Sequence, residues 1–168
     1  FVMHAAGLIA DASKLLSESA EFLEALIRSI RPDVASQNNP AKQMSQALLD
    51  RLPLLIGSEE NGSVLRRFKN ELNENSKMPA FYYTLPEGYH DDVEGLRTLH
   101  GLTALQPVLL LRKDESQGQL RTRERLQSLL AEIGFPPILQ FEGTGKGRLS
   151  HLLTAITFGD YVSVYLAV

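Results

Sequence analysis

RRFKNELNENSKMPAFYYTLPEGYHDDVEG, residues Arg66 to Gly95, is the stretch whose reading decides the fold of this chain. It begins as a polar, helix-favouring run. It passes through the short aromatic segment Ala80–Thr84, which reads as a strand. It ends in a Pro/Gly turn carrying two acids, a tyrosine and a histidine. Helix, strand and turn in direct succession form the unit of an alternating α/β chain. The same stretch holds the most suggestive chemistry. His90 is one of only four histidines, and Asp91 and Asp92 follow it. Glu74 lies sixteen residues upstream across a single strand, so the spacing predicts that both side chains reach one cleft.

Upstream, Leu52–Gly57 (LPLLIG) is a short continuous apolar run, the profile of a buried parallel strand. Ser58 to Gly62 is the turn after it, and a helix is expected from about Ser63 to Ser76. Before that strand, Asn39 is a good N-cap with Pro40 at the first helical position, so a short helix runs to about Asp50. Residues 33–39 form a polar loop. Residues 4–30 carry Leu8, Ala12, Leu15, Leu16, Leu23, Leu26, Ile27 and Ile30 at helical spacing, and Arg31-Pro32 ends that helix. Downstream, residues 90–100 are polar and turn-rich, with short helical turns. Pro107–Arg112 is the third strand. Gln119–Ile133 is a helix stopped by Gly134, and Ile138–Phe141 is the fourth strand. A last helix from Arg148 to the end is apolar nearly all round, which predicts burial.

These elements predict an α/β three-layer sandwich. A central, mostly parallel sheet of about four to five strands is flanked by helices, with flavodoxin/Rossmann-type topology. Residues 1–168 read as one domain, with 1–36 as an N-terminal helix and linker packing on it. Ligands of such sheets sit at the carboxyl ends of the strands. Three polar exits are candidates: Ser58–Gly62, Leu85–Asp92 and Glu142–Lys146.

Composition sets the outer limits. The 168 residues are 43% hydrophobic and 22% charged, an ordinary globular balance, and suffice for a real core. A net charge of −3 disfavours non-specific nucleic-acid binding. No apolar run has the length of a membrane span, and there are no cysteines for disulfides or thiolate chemistry. A cytoplasmic location is expected. Both ends fall inside helical or apolar patterns, so the chain is expected to be a piece of a longer protein.

A glutamate in a helix is ordinarily a solvated charge. A carboxylate with the usual pKa of about 4.3 is also ionised at neutral pH, and held rigidly it can take a proton from carbon. Asn70, Asn73 and Asn75 either orient Glu74 or serve the helix end. A lone loop histidine is ordinarily a surface residue. At His90, a bond from Asp91 or Asp92 to one ring nitrogen would fix the tautomer and suit a proton shuttle. Asn70 and Lys77 beside Glu74, and Ser58 in the first exit, are candidate substrate-binding residues. His4, His100 and His151 have no such company. No H-x-x-x-H or H-x-E spacing occurs, so no metal site is expected. GTGKG (143–147) departs from the phosphate-loop spacing and reads first as a turn before the last helix. Arg121, Arg123 and Arg125 read first as a solvated face, with a subunit interface as the alternative.

Four stretches together resemble the C-terminal half of the bifunctional phosphoglucose/phosphomannose isomerases, which are built from two sugar isomerase (SIS) domains. They are NNPAK (38–42), RRFKNELNENSKMPAFYYTLPEGYHDD (66–92), LLLRKDES (109–116) and GDYVSVYLA (159–167). The resemblance implies an SIS-like domain that interconverts glucose 6-phosphate, and mannose 6-phosphate, with fructose 6-phosphate. It implies that Glu74 is the base between C1 and C2 and that His90 assists ring opening. His90 would act at the neighbouring subunit's site, so a homodimer is implied. No cofactor is needed for that reaction. It also implies an N-terminal SIS domain of the same protein supplying the phosphate loop, and a catalytic lysine beyond Tyr-Leu-Ala. The family's Leu-Asn before the histidine is Gly88-Tyr89 here, and its tryptophan after the arginine is Phe68. Those departures keep two rivals in play: a sugar-phosphate-binding regulatory SIS protein, and a structural dimerisation domain.

Overall fold

The computed structural model describes residues 2–8, 12–96, 98 and 104–168. Within them a four-stranded sheet runs in the order β2-β1-β3-β4, with every neighbouring pair parallel. The strands are β1 (Leu52–Ser58), β2 (Phe81–Leu85), β3 (Leu105–Leu111) and β4 (Leu139–Glu142). The helices are α1 (Val2–Ala5), α2 (Ser13–Ile30), α3 (Pro40–Leu48), α4 (Gly62–Glu74), α5 (Glu87–His90), α6 (Asp92–Leu96), α7 (Gln117–Glu132) and α8 (Gly147–Leu166). This is the α/β sandwich the alternating pattern predicts.

The sheet separates two apolar layers. On one face Leu55, Val108, Leu110 and Phe141 pack with Leu65 and Phe68 of α4, Leu48 of α3, Ile30 of α2 and Phe158 of α8. Phe141 stacks on Phe158 at 5.5 Å and meets the edge of Phe68 at 5.6 Å. On the other face Leu54, Ile56 and Leu109 pack with Leu126, Leu129 and Leu130 of α7. Alternate residues of β1 thus face opposite layers, and its last six residues are all buried. Fully burying a leucine stabilises by about 1.5–3 kcal/mol, so these layers supply the main favourable term.

Local signals place the helices. The Asn39 side chain accepts hydrogen bonds from the Ala41 and Lys42 amides, and Pro40 opens α3. Ser116 and Gln119 form a reciprocal capping box at the start of α7. The apolar α8 sits among α2, α3, α4 and the sheet, burying Thr154, Ala155, Phe158, Gly159 and Val162. Gly159 is required there: an added Cβ would lie 2.9 Å from the Phe68 ring.

Two expectations change. The helix expected over 4–30 is α1 and α2, with residues 9–11 outside the described ones. Its apolar face is only partly buried. Leu8, Leu15, Leu16 and Ile27 remain exposed, because α2 meets α8 along the side that carries Ser19 and Ile30. The Pro/Gly turn expected before Asp91 forms the one-turn helix α5; α6 is one of the short helical turns expected over 90–100, and His100 lies outside the described residues.

Candidate functional site

Glu74 is the last residue of α4, and the backbone around it is pinned from several sides. Asn73 Nδ2 donates to the Met78 carbonyl at 2.7 Å. Asn75 Nδ2 donates to Glu71 Oε2 and Ser163 Oγ, each at 2.9 Å. Ser76 Oγ donates to the Ser163 carbonyl at 2.7 Å, tying the turn to α8. The asparagines therefore serve the helix end and do not orient the Glu74 carboxylate. Lys77 belongs to the same end: its Nζ donates to the Glu74 carbonyl at 2.7 Å, and its φ is +55°.

The Glu74 side chain is exposed and lines a groove of about 800 Å³ between α4 and the edge strand β2. Asn70 lines it one turn earlier, and Arg66 one turn before that. The three stand four residues apart and share one face of the helix. Tyr82 and Thr84 form the opposite wall. Arg67, also on this wall, is committed to Asp160 through two 3.1 Å hydrogen bonds and to Glu71 at 3.1 Å. Asp160 holds the Arg67 guanidinium above its ordinary range. Among the described residues, Arg66 has no such acid partner. Sequence reasoning missed Arg66, although its spacing from Asn70 and Glu74 was the available signal.

His90 lies elsewhere. It closes α5, just beyond the carboxyl end of β2, and lines a hollow of about 310 Å³ with Pro86, Tyr89, Thr122 and Arg125. No residue is shared with the Glu74 groove. The expectation of one cleft within the chain is therefore wrong. Helix α4 starts beside Thr84, at the end of β2, and runs back along the sheet. Its thirteen residues carry Glu74 away from that end by about 20 Å. Nor does His90 bond to Asp91 or Asp92 among the described residues. Residues one and two apart on a helical turn do not face each other.

Ser58 is buried at the end of β1 and lines a third cavity, of about 250 Å³, where the strand order reverses between β1 and β3. That cavity also meets the half-buried pair Arg123–Glu115, at 2.8 Å. Arg123 thus leaves the solvated face expected of it. Of the candidate residues, the fold brings Glu74 and Asn70 together in the groove, turns Lys77 onto the Glu74 backbone outside the groove lining, and keeps Ser58 and His90 apart from them. Among the described residues no group of three or more His, Cys, Asp or Glu gathers as a metal set. Among them no helix is long and apolar enough to cross a membrane.

Several known proteins are similar to this chain. A bifunctional phosphoglucose/phosphomannose isomerase of Caldicellulosiruptor bescii is 27% identical over 162 residues, covering 96% of this chain and 48% of that protein. One of Aquifex aeolicus is 26% identical over 161 residues, 95% of this chain and 50% of that protein. A D-glucosamine-6-phosphate 4-epimerase of Sulfolobus acidocaldarius is 26% identical over 113 residues, 67% of this chain and 34% of that protein. The chain spans about half the length of the first two relatives. A crystal structure of a glucose-6-phosphate isomerase-like protein from Thermus thermophilus superposes with a TM-score of 0.72 at 21% identity. The match covers 99% of this chain and 55% of that one, a likeness of fold. The family described as the bacterial phospho-glucose isomerase C-terminal SIS domain matches residues 37–168, from the loop before α3 onward, and this chain belongs to it.

Proposed function

We propose that this chain supplies part of the active site of a sugar-phosphate aldose–ketose isomerase. The reaction interconverts glucose 6-phosphate, and mannose 6-phosphate, with fructose 6-phosphate. Glu74 is the base. Its carboxylate takes the C2 proton of the open-chain aldose as O1 gains a proton, which leaves an enediol. Return of the proton to C1, with loss of the O2 proton, gives the ketose. His90 moves the ring-opening proton between the sugar's ring oxygen and its anomeric hydroxyl. Asn70 and Arg66 meet the substrate in the groove.

The observation that carries this reading is the state of Glu74. The two residues that follow it, Asn75 and Ser76, bond to Ser163 of α8, while its carboxylate faces an open groove and takes no hydrogen bond from the described residues. A base needs that combination of a fixed origin and a free oxygen. Separation of His90 from Glu74 supports an arrangement in which each serves a different site of a homodimer. The wall facing the groove comes from a further SIS domain of the same protein, a reading supported by relatives about twice as long.

The departures at Gly88-Tyr89, beside His90, favour one second reading: a regulatory SIS protein that binds sugar phosphate without turnover. One assay separates the two. Isomerisation of fructose 6-phosphate by the intact protein is compared with that of its Glu74→Gln variant. The expected loss is about 10²–10⁴-fold in kcat. Binding of fructose 6-phosphate without turnover by the unaltered protein would support the regulatory reading and overturn the enzyme.

A further inference from the structure

A separate cavity of about 270 Å³ opens at the carboxyl ends of β3 and β4, where α8 begins. Four distant segments build it: Asn61 after β1, residues 112–114 after β3, the glycine loop 143–147, and the first turns of α8. It shares no residue with the Glu74 groove or the His90 hollow.

Its charges do not cancel. Arg112 holds Asp114 through hydrogen bonds of 2.8 and 2.7 Å and reaches Glu60 at 3.2 Å. Arg112 is shared between Asp114 and Glu60, so it adds no unpaired positive charge to the wall. Lys113 and Arg148 also line the cavity, and neither has an acid partner among the described residues. Helix α8 adds to them. It starts at Gly147 with no side-chain cap, whereas Asn39 and Ser116 cap α3 and α7. Its first-turn amides and aligned peptide dipoles carry partial positive charge. The glycines divide by role. An added Cβ at Gly143 would strike the His151 carbonyl at 2.2 Å, and one at Gly145 would strike Ser150 at 2.5 Å. At Gly147, with φ +78°, nothing lies within 4 Å.

A second observation is independent of the helix end. Asn61 lines the cavity, is only 7% exposed, and its Nδ2 donates to no atom of the described residues. A buried N–H without an acceptor costs free energy that a ligand oxygen would recover. We infer that this cavity binds the phosphate group of a phosphomonoester between Asn61 Nδ2, the Lys113 and Arg148 cations and the first amides of α8. Leu110, Leu152 and Ala155 give the rest of the ester an apolar wall. The site is distinct from the groove assigned to catalysis and does not depend on that assignment.

The test is an NMR titration of the intact, ¹⁵N-labelled protein with inorganic phosphate, fructose 6-phosphate and fructose. It follows the Asn61 side-chain amide and the Gly147 and Arg148 backbone amides. Both phosphorylated probes should give saturating shifts at these signals, and fructose none. Asn61→Asp keeps the side chain's shape and replaces its donor with an anion. Arg148→Ser removes a cation. Each should weaken phosphate binding about tenfold or more, since both delete a charge-assisted contact, and the exposed Arg148→Ser should do so at unchanged melting temperature. Glu74→Gln should leave it unchanged. Shifts that do not saturate, or that map to the Arg66 face of α4 alone, would overturn the inference. So would affinities within about twofold of the parent in both variants, or a response to inorganic phosphate without one to fructose 6-phosphate.

Discussion

Tyr83 shows how one residue can carry an unbalanced cost. Its ring is buried on β2, and its hydroxyl has no partner among the described residues. Burial, with the Asp92 carboxylate as a lesser cause, pushes the hydroxyl's pKa well above its ordinary value. A raised folded-state value means that the unfolded chain releases its proton first. Tyr83 therefore lowers stability as pH rises above about 10. Tyr83→Phe removes a buried orphan, so denaturant unfolding should show a change between zero and about 1 kcal/mol in favour of the variant at pH 7. The variant's advantage should widen above about pH 10. Arg112 has the opposite sign. Its hydrogen bonds hold the Asp114 carboxyl below the ordinary range. That contribution is present above about pH 4 and vanishes as pH falls through the depressed value. Melting curves of Arg112→Gln should therefore lie below those of the parent at neutral pH and converge with them as pH falls below the depressed value.

At the scale of elements, α4 and α8 set the position of the candidate base. They meet through Gly159 against Phe68, the Arg67–Asp160 pair and the bonds from Asn75 and Ser76 to Ser163. Gly159→Ala would force the helices apart, because the atoms it meets belong to a buried ring with no free direction to move. Overpacking of this kind costs about 1–3 kcal/mol, to be read in chemical denaturation. If Glu74 is the base, kcat should fall with it, since α4 carries both the packed ring and the carboxylate. Element types and boundaries were legible in the chain to within a few residues. LPLLIG has the profile of a buried strand and Asn39-Pro40 that of a helix start, and both form as read. The extent to which α2 is covered was not legible, because periodicity marks a face and does not say what packs on it.

At the scale of the whole molecule, the parallel topology explains the distance between Glu74 and His90. A crossover helix runs opposite to the strands it joins, so the end of α4 and the exit of β2 lie at opposite ends of the sheet. If each site of a homodimer takes Glu74 from one subunit and His90 from the other, two inactive variants should complement. Glu74→Gln and His90→Gln proteins, unfolded together and refolded, should recover roughly a quarter of parental activity, because half the dimers are mixed and each holds one intact site. No recovery in verified mixed dimers would place both residues at the same site.

By itself the sequence determined the alternation of helices and strands, the parallel sheet and the face of α4 shared by Arg66, Asn70 and Glu74. Those features depend on local periodicity, caps and turn residues, which act over a few positions. Only the tertiary structure decided which residues meet. It separated His90 from Glu74, turned Lys77 and the asparagines at 73 and 75 into braces of a helix end, and drew Asn61, Lys113 and Arg148 around one cavity. Such meetings depend on strand order, crossover direction and helix length together, and no short window of sequence holds all three.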